Sequence, residues 1–385
     1  MNGEAKFKVL LATCMESDNW ISIHTYNRQI LAGLQCRTDE LSVSTIHPFG
    51  GNISSATVRA FVRRFIYPLH VRAAVAGAGK STILHVTDQF YAYLLPSDCP
   101  GIVTCHDIAE YRCSDMTAAQ LSRWKKRIEH LKFASLIFAD SHATATDLRE
   151  MLGIGEDRIM VNHMGVDEDF GRLSADHSFS PEVSRLVGLA EHGVLALHVG
   201  VNLTRKNISL MLEAIALVRN AGIPVHLVKV GDVLCRDAVG CERAFTVENR
   251  NGRYSGLVDQ LGIRDCIIDM GRVDRTTLIE LYNVCNVFLF PSLHEGFGFP
   301  ILEAQACGCP CVLANTSCLP EIGGDAALFH DPKNARAMAD CMVNLAKDRA
   351  LRDNLALKGL QNVRKFTWEA HVERLVKGYR RVLGS

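Results

Sequence analysis

The sequence predicts two doubly wound α/β domains, and three observations carry that prediction. Short apolar runs alternate with amphipathic helical patterns, the alternation occurs twice, and a stretch without strand character separates the two passes. The length of 385 residues agrees, because one hydrophobic core rarely serves so long a chain.

In the first pass the strand candidates are 9–12, 82–86, 101–104, 136–139 and 159–162, with helices expected over 26–34, 118–133 and 143–151. In the second they are 194–199, 225–230, 266–269, 287–290 and 310–313, with helices over 209–220, 275–282 and 334–347. Near-continuous apolar strands interleaved with helices belong to parallel sheets covered on both faces. The stretch 170–192 carries Gly171, Ser174, Ser178, Ser180 and Pro181 and reads as a linker. That places a first domain at 1–172 and a second at 190–367, with a last helix over 368–385. Ligands of such folds bind outside the carboxyl ends of the strands, so two facing domains are expected to share a cleft there.

Lys plus Arg and Asp plus Glu both number 42, so the chain as a whole has no pull toward nucleic acid or membrane. The balance is locally broken. No acidic residue lies between Leu41 and Thr87, where Arg59, Arg63, Arg64, Arg72 and Lys80 all fall. This stretch and the helix 121–128 could press on an anionic membrane, or simply be solvated faces. No apolar run is long enough to span a bilayer, and the 14 cysteines suit a reducing compartment. The expected location is therefore cytoplasmic, peripheral at the inner membrane face if the basic surface is used.

Two sequence features suggest other chemistry and fail on context. Cys307, Cys309 and Cys311 lack a second pair at zinc-ligand spacing and read as a helix end turning into a strand. The run from Ala74 to Ser81 approaches a nucleoside-triphosphate P-loop, but Ala74 replaces the first glycine and a strand follows instead of a helix.

Two loops carry the chemistry. After the strand 194–199 come Gly200 and then Arg205-Lys206-Asn207, just before a helix for which Asn207 is a good N-cap. Two cations beside a helix N-terminus suit an anion, although a solvated basic pair reads equally well from this loop alone. The second loop runs from Pro291 to Ala304, with Glu295, Gly296, Phe297 and Gly298 before Pro300 and with Glu303 one turn into a helix. Glu303 leans back toward the helix N-terminus, so both carboxylates face one pocket. Carboxylates repel phosphate and must accept from hydroxyls instead. A ligand with hydroxyls at both ends and phosphate between is a nucleotide sugar.

The same residues resemble a family. Glu295 and Glu303, seven residues between them, match the signature of the retaining glycosyltransferases of family four, which have the GT-B fold of two Rossmann-like domains. Supporting matches are Arg205-Lys206-Asn207 after Gly200, Leu281-Tyr282 after Gly271, and Glu321 with Asp331-Pro332. Cys105-His106-Asp107, Ala139-Asp140-Ser141, Gly165-Val166-Asp167 and Phe366-Thr367-Trp368-Glu369 extend the likeness over nearly the whole chain.

The resemblance implies a hexose transfer with retention from a nucleotide-diphosphate sugar to a glycan, lipid-linked or small-molecule acceptor. Arg205 and Lys206 would hold the diphosphate, Glu303 the ribose hydroxyls and Glu295 the sugar. Backbone N–H groups of Gly296, Phe297 and Gly298 would surround the sugar and distal phosphate, with Leu302 beside them. The base would lie near Gly271, Arg272 and Val273, and His106 would reach the transferred sugar. Neither cofactor nor metal is expected, since protein cations neutralise the leaving group; Asp167 and Asp169 are not read as a metal pair. The form of the loop from His294 to Pro300 tilts the donor toward GDP-mannose. Two departures stand out. Thr13 to Trp20 replaces a glycine-rich loop, so Asn19 and Trp20, with Asp107, are assigned to the acceptor side; and Val201 stands where many relatives carry Arg. The alternatives are an epimerase-like enzyme on the same architecture or a non-catalytic sugar-nucleotide binder.

Overall fold

The computed structural model describes residues 7–15, 21–48, 55–79, 81–96, 99–235 and 252–384. The described residues form two compact units. The first takes them up to Tyr111, then Met116–Gly165, and those from Phe366 onward; the second takes Arg112–Asp115 and Val166–Lys365.

In the first unit the strands β1 (Phe7–Ala12), β2 (Leu41–Ile46), β3 (Thr82–Val86), β4 (Gly101–Cys105), β5 (Leu136–Ala139) and β6 (Ile159–Val161) form one sheet in the order β2-β1-β3-β4-β5-β6. In the second, β7 (Val194–Gly200), β8 (Val225–Gly231), β9 (Ile267–Gly271), β10 (Val287–Phe290), β11 (Cys311–Ala314) and β12 (Ala327–His330) are ordered β12-β11-β10-β7-β8-β9. All pairings in both sheets are parallel. The inner strands β3, β4 and β5 are buried along their whole length, as a sheet covered on both faces requires.

Two strands that the sequence reading did not mark, β2 and β12, lie at the sheet edges. β2 reads LSVSTI and buries only its two ends, so it lacks the continuous apolar signal of a central strand. The proposed linker also changes character. Pro181–His192 is a helix with Pro in its first turn, and it buries Val183 and Leu186. The residues before it are stapled to the helix Arg275–Val284: Ser180 donates through its N–H and Oγ to Glu280, and His177 pairs with the same carboxylate at 3.0 Å. Asn283 accepts from Leu173 N–H and donates to the Gly171 carbonyl. The stretch is thus a fixed part of the second unit. The expected helix 118–133 is α-helical only over Ala118–Ile128 and tightens to a 3₁₀ segment over Glu129–Phe133.

The C-terminal helix Trp368–Leu383 belongs to the first unit and buries Val372, Leu375, Val376 and Tyr379. Tyr379 bonds to His85 at 2.7 Å, and His85 bonds in turn to Thr104, a fully buried chain that also takes in the Tyr26 hydroxyl. Gly378 lets this helix lie on β5, because a Cβ there would stand 2.3 Å from the Phe138 ring. Gly378→Ala is therefore expected to cost about 1–3 kcal/mol of stability, as overpacking does, and to lower the melting temperature by several degrees. An unchanged melt would show that the helix is not seated so closely.

The other sequence features resolve locally. The run from Ala74 ends a helix at Ala76 and is followed by β3, the reverse of a P-loop's strand-then-helix order; its Lys80 lies outside the described residues. Cys307 caps a helix, Gly308 turns at φ 75° and Cys311 opens β11, as expected. All three thiols are buried, and burial raises that of Cys307 to about 12. They are packing groups.

Candidate active site

The strand order of the second unit places its site. Viewed outward from β7, the order runs through β8 and β9 on one side and β10, β11 and β12 on the other, so the connections reverse between β7 and β10. Loops leaving two such strands in opposite directions open a crevice at their carboxyl ends, where doubly wound sheets bind ligands. The loop after β7 carries Arg205 and Lys206, and the loop after β10 carries Glu295. They meet at that crevice.

Lys206 Nζ donates to Glu295 Oε1 at 2.6 Å, and Arg205 Nη1 donates to Glu295 Oε2 at 2.7 Å. Both cations hold one carboxylate, each on its own oxygen. Burial works against charge on Glu295, which is only 6% exposed, but Arg205 and Lys206 outweigh it and bring the carboxyl down to about 2. Lys206 also stands 4.9 Å over the Phe290 ring at the end of β10. Main-chain ties hold the loops in this position. Leu293 N–H donates to the Arg205 carbonyl at 2.7 Å, and Arg205 donates to the His294 carbonyl at 3.1 Å.

Asn207 departs from its expected role. It sits at the N-cap of the helix Ile208–Asn220 in the left-handed region, φ 55°, but its side chain makes no cap. It donates instead to the carbonyls of Pro291 and Pro332, at 3.2 and 2.8 Å, clamping the two loops together. The helix Phe299–Ala306 likewise begins at Gly298, φ 99°, without a side-chain cap. Two helices therefore open at the crevice with no side chain closing them, a setting in which an anion can serve as the cap.

Glu303 lies in the first turns of the second helix and accepts from the Tyr282 hydroxyl at 2.9 Å. Burial raises its carboxyl to about 7, with Asp167 adding to the effect and Tyr282 and Arg275 opposing it. Glu295 and Glu303 are thus carboxyls of opposite tendency on one loop and helix. The paired cations favour the ionised form of the first, and burial favours the neutral form of the second.

The remaining expected residues are distributed unequally. The side chains of Phe297 and Leu302 are buried, Leu302 completely, so only their backbones are available to a ligand. Leu302, expected beside the donor, packs its side chain into the core. Gly296 and Gly298 are in the loop, while Arg272 and Val273 follow β9 at the sheet edge, three strands from β10. Gly200 and Gly231 end β7 and β8 side by side. A Cβ on Gly231 would stand 2.3 Å from the Gly200 carbonyl, so no larger residue fits at φ 106°. The same carbonyl accepts at 2.6 Å from Lys229, a wholly buried lysine whose ammonium burial depresses to about 7. Asn19 and Trp20 lie outside the described residues.

Several contributors were not foreseen. Ser317, φ 54°, accepts from Glu295 N–H at 3.2 Å and donates to its carbonyl at 2.8 Å, fixing the backbone of that residue. Asp115 accepts from Thr204 N–H at 2.8 Å and from its hydroxyl, holding the β7 loop from a segment distant in sequence. Arg275 contacts both Asp167, at 2.6 Å, and Asp169, at 3.1 Å, so this Asp-x-Asp pair serves an arginine. None of these links follows from local sequence pattern, because the partners are at least 22 residues apart.

In the first unit His106 ends β4 in a defined electrostatic state. Nδ1 meets Asp140 Oδ2 at 2.6 Å and Nε2 meets the Thr87 carbonyl at 3.1 Å. The Thr87 carbonyl can only accept, so Nε2 donates to it, while Nδ1 and the buried Asp140 carboxyl share one proton. Burial opposes charge on the ring, but Asp140 overcomes it and holds His106 up at about 9. A ring engaged at both nitrogens is fixed in orientation. Asp107 caps the turn that follows, accepting from Ala109 N–H at 3.1 Å.

These sequences and folds have known counterparts. A family model described as "Glycosyl transferases group 1" matches residues 181–361, and one described as "Glycosyltransferase Family 4" matches 53–170. The chain is 27% identical over 282 residues to the O-antigen chain mannosyltransferase B of Escherichia coli, covering 73% of this chain and 70% of that one. It is 27% identical over 305 residues to the serotype-specific mannosyltransferase WbdA of Escherichia coli, covering 77% of this chain but only 35% of the much longer relative. Among solved structures, the sucrose-phosphate synthase of Thermosynechococcus elongatus aligns with a TM-score of 0.75 at 20% identity, over 98% of this chain and 100% of that one, a likeness of fold. With two matched models, mannosyltransferase relatives and the shared architecture, the chain belongs to the group 1 glycosyltransferases of family four and has the GT-B fold.

Proposed function

We propose that this glycosyltransferase moves a mannosyl residue from GDP-mannose to a glycan or lipid-linked acceptor, with retention at the anomeric carbon and without a metal. The observation that carries the reading is the pairing of Arg205 and Lys206 on one carboxylate at the β7–β10 crevice. Arg205 brings a guanidinium fork and Lys206 an ammonium to the same crevice, donor groups whose chemistry suits a diphosphate. Glu295 then faces the sugar as a permanent acceptor for its hydroxyls, and Glu303 with Tyr282 faces the ribose. The mannosyl choice rests on the Escherichia coli relatives and on the form of the loop from His294 to Pro300.

As the bond from sugar to phosphate breaks, negative charge builds on the nucleoside diphosphate. Two lysine and arginine cations and two uncapped helix ends oppose that charge in place of a metal ion. The acceptor proton passes to a donor phosphate oxygen in this reading, since both ring nitrogens of His106 are engaged within the first unit.

The test is thermal stabilisation by UDP, GDP, ADP and dTDP, each with and without EDTA. GDP is expected to win, with about 2.7 kcal/mol at a ligand concentration a hundredfold above Kd, unaffected by EDTA. An EDTA-sensitive shift would remove the metal-free reading, and another winning base would replace the donor. Product NMR from GDP-mannose and a glycan acceptor decides retention, since an inverted linkage contradicts it.

A further inference from the structure

The helical run from Ala56 to Ala76 in the first unit is apolar on two faces, and only one of them is covered. It consists of Ala56–Phe61, a wider π-type turn over Val62–Ile66, and Tyr67–Ala76. Val62, Tyr67, Val71 and Val75 face the core. The first interval is five residues and the others four, so the wide turn is what keeps Val62 in line with Tyr67. Tyr67 fastens this face by donating to the carbonyls of Thr13 and Ile46, at 2.8 and 2.9 Å.

The opposite face carries Val58, Phe61, Phe65 and Leu69, which are 47%, 54%, 51% and 62% exposed. They supply four of the six large hydrophobic side chains exposed among the described residues. The rings of Phe61 and Phe65 pack on each other, 5.3 Å between centroids, and so form one patch. A helix apolar all round is normally buried or lies in lipid, and a clustered exposed patch marks an interaction surface.

The charges beside the patch select its occupant. Arg64 and Arg72 are exposed on the same run, in a stretch from Leu41 to Thr87 that contains no acidic residue. A second copy meeting this face about a two-fold axis would set arginines against arginines. A surface of anionic lipid headgroups matches them, while its acyl boundary takes the phenylalanines. A neighbouring cluster extends the same chemistry. Tyr93 donates to the Arg63 carbonyl at 2.8 Å, Arg127 lies 5.7 Å over the Tyr93 ring, and Tyr93 packs on His130, which packs on Phe133, 75% exposed.

We infer that the exposed face of the 56–76 helix, with Phe61 and Phe65 at its centre, seats the first unit on an anionic bilayer surface. Among the described residues no helix is long and apolar enough to cross a membrane, so the contact is an in-plane one. It does not rest on the donor assignment, and its test reads no activity.

The full chain is floated with phosphatidylcholine vesicles, with and without phosphatidylglycerol, at low and high salt. Binding is expected only with phosphatidylglycerol and is expected to weaken with salt. F61S/F65S and, separately, R64Q/R72Q are each expected to lower the partition coefficient by about tenfold or more. These side chains are exposed, so unchanged thermal melts should accompany the loss. Absence of wild-type binding to the mixed vesicles would overturn the inference, as would unaltered binding of both variants. A wild-type dimer by light scattering that F61S/F65S converts to monomer would assign the face to a second copy instead.

Discussion

Lys206→Ala is expected to cut turnover by a hundredfold or more under donor-limiting conditions. Lys206 is buried, its ammonium 2.6 Å from Glu295 and beside a helix that opens without a side-chain cap. In the proposed reaction it meets charge that appears on the diphosphate only as the sugar departs. Interactions stronger in the transition state than in the ground state are the ones that raise the rate, and removing one such preorganised donor costs on the order of 3 kcal/mol. The buried Glu295 would retain Arg205, so its carboxylate stays paired and the fold is expected to survive, which a thermal melt checks. Steady-state kcat/KM for the donor is the deciding measurement. A value near wild type would mean that Arg205 or the helix ends carry the diphosphate, and the assignment of Lys206 would fall.

Glu303→Gln is expected to weaken donor binding by about 2–3 kcal/mol, roughly 30-fold to 150-fold. Hydrogen bonds to a charged acceptor are worth about that much, and an amide accepts at one position only. The effect carries a pH signature. Because the Glu303 carboxyl stands at about 7 in the unliganded protein, it must lose a proton to accept from ribose with both oxygens. Wild-type affinity for nucleoside diphosphate should therefore tighten as pH rises from 6 to 8, while Glu303→Gln should show no such rise.

Stability runs the other way. A pKa raised on folding stabilises the protein below the unfolded carboxyl value near 4.5, and that benefit is lost as pH rises through about 7. Glu303→Gln, which keeps the Tyr282 contact without a charge, should thus melt higher than wild type at pH 8 by on the order of 2 kcal/mol, with the gap closing in acid. Identical melts at both pH values would mean the carboxyl is not raised.

Much of the architecture was readable because a buried parallel strand writes itself locally, as in Thr82–Val86 or Val287–Phe290. β2 was not readable, since an edge strand mixes serine and threonine with few apolar residues and needs its neighbour to be defined. The apparent linker failed as a reading for a related reason. Its serines and glycine are polar in composition, yet their partners are Glu280 and Asn283 about a hundred residues away. Arg205, Lys206, Glu295 and Glu303 were recognisable as residues of loops and helix starts after strands, because loops after strands and turns before helices have local signatures.

What sequence alone determined, then, was the alternation that makes two doubly wound units, the family, and the two loops that meet at the crevice. Only the tertiary structure decided that both cations share Glu295, that Asn207 clamps two loops instead of capping a helix, and that His106 is held between Asp140 and the Thr87 carbonyl. It also decided which face of the 56–76 helix is left uncovered. The physical reason is common to all four: charge state, capping and exposure depend on groups brought close by strand order, and a linear pattern records what a residue is without recording what stands opposite it.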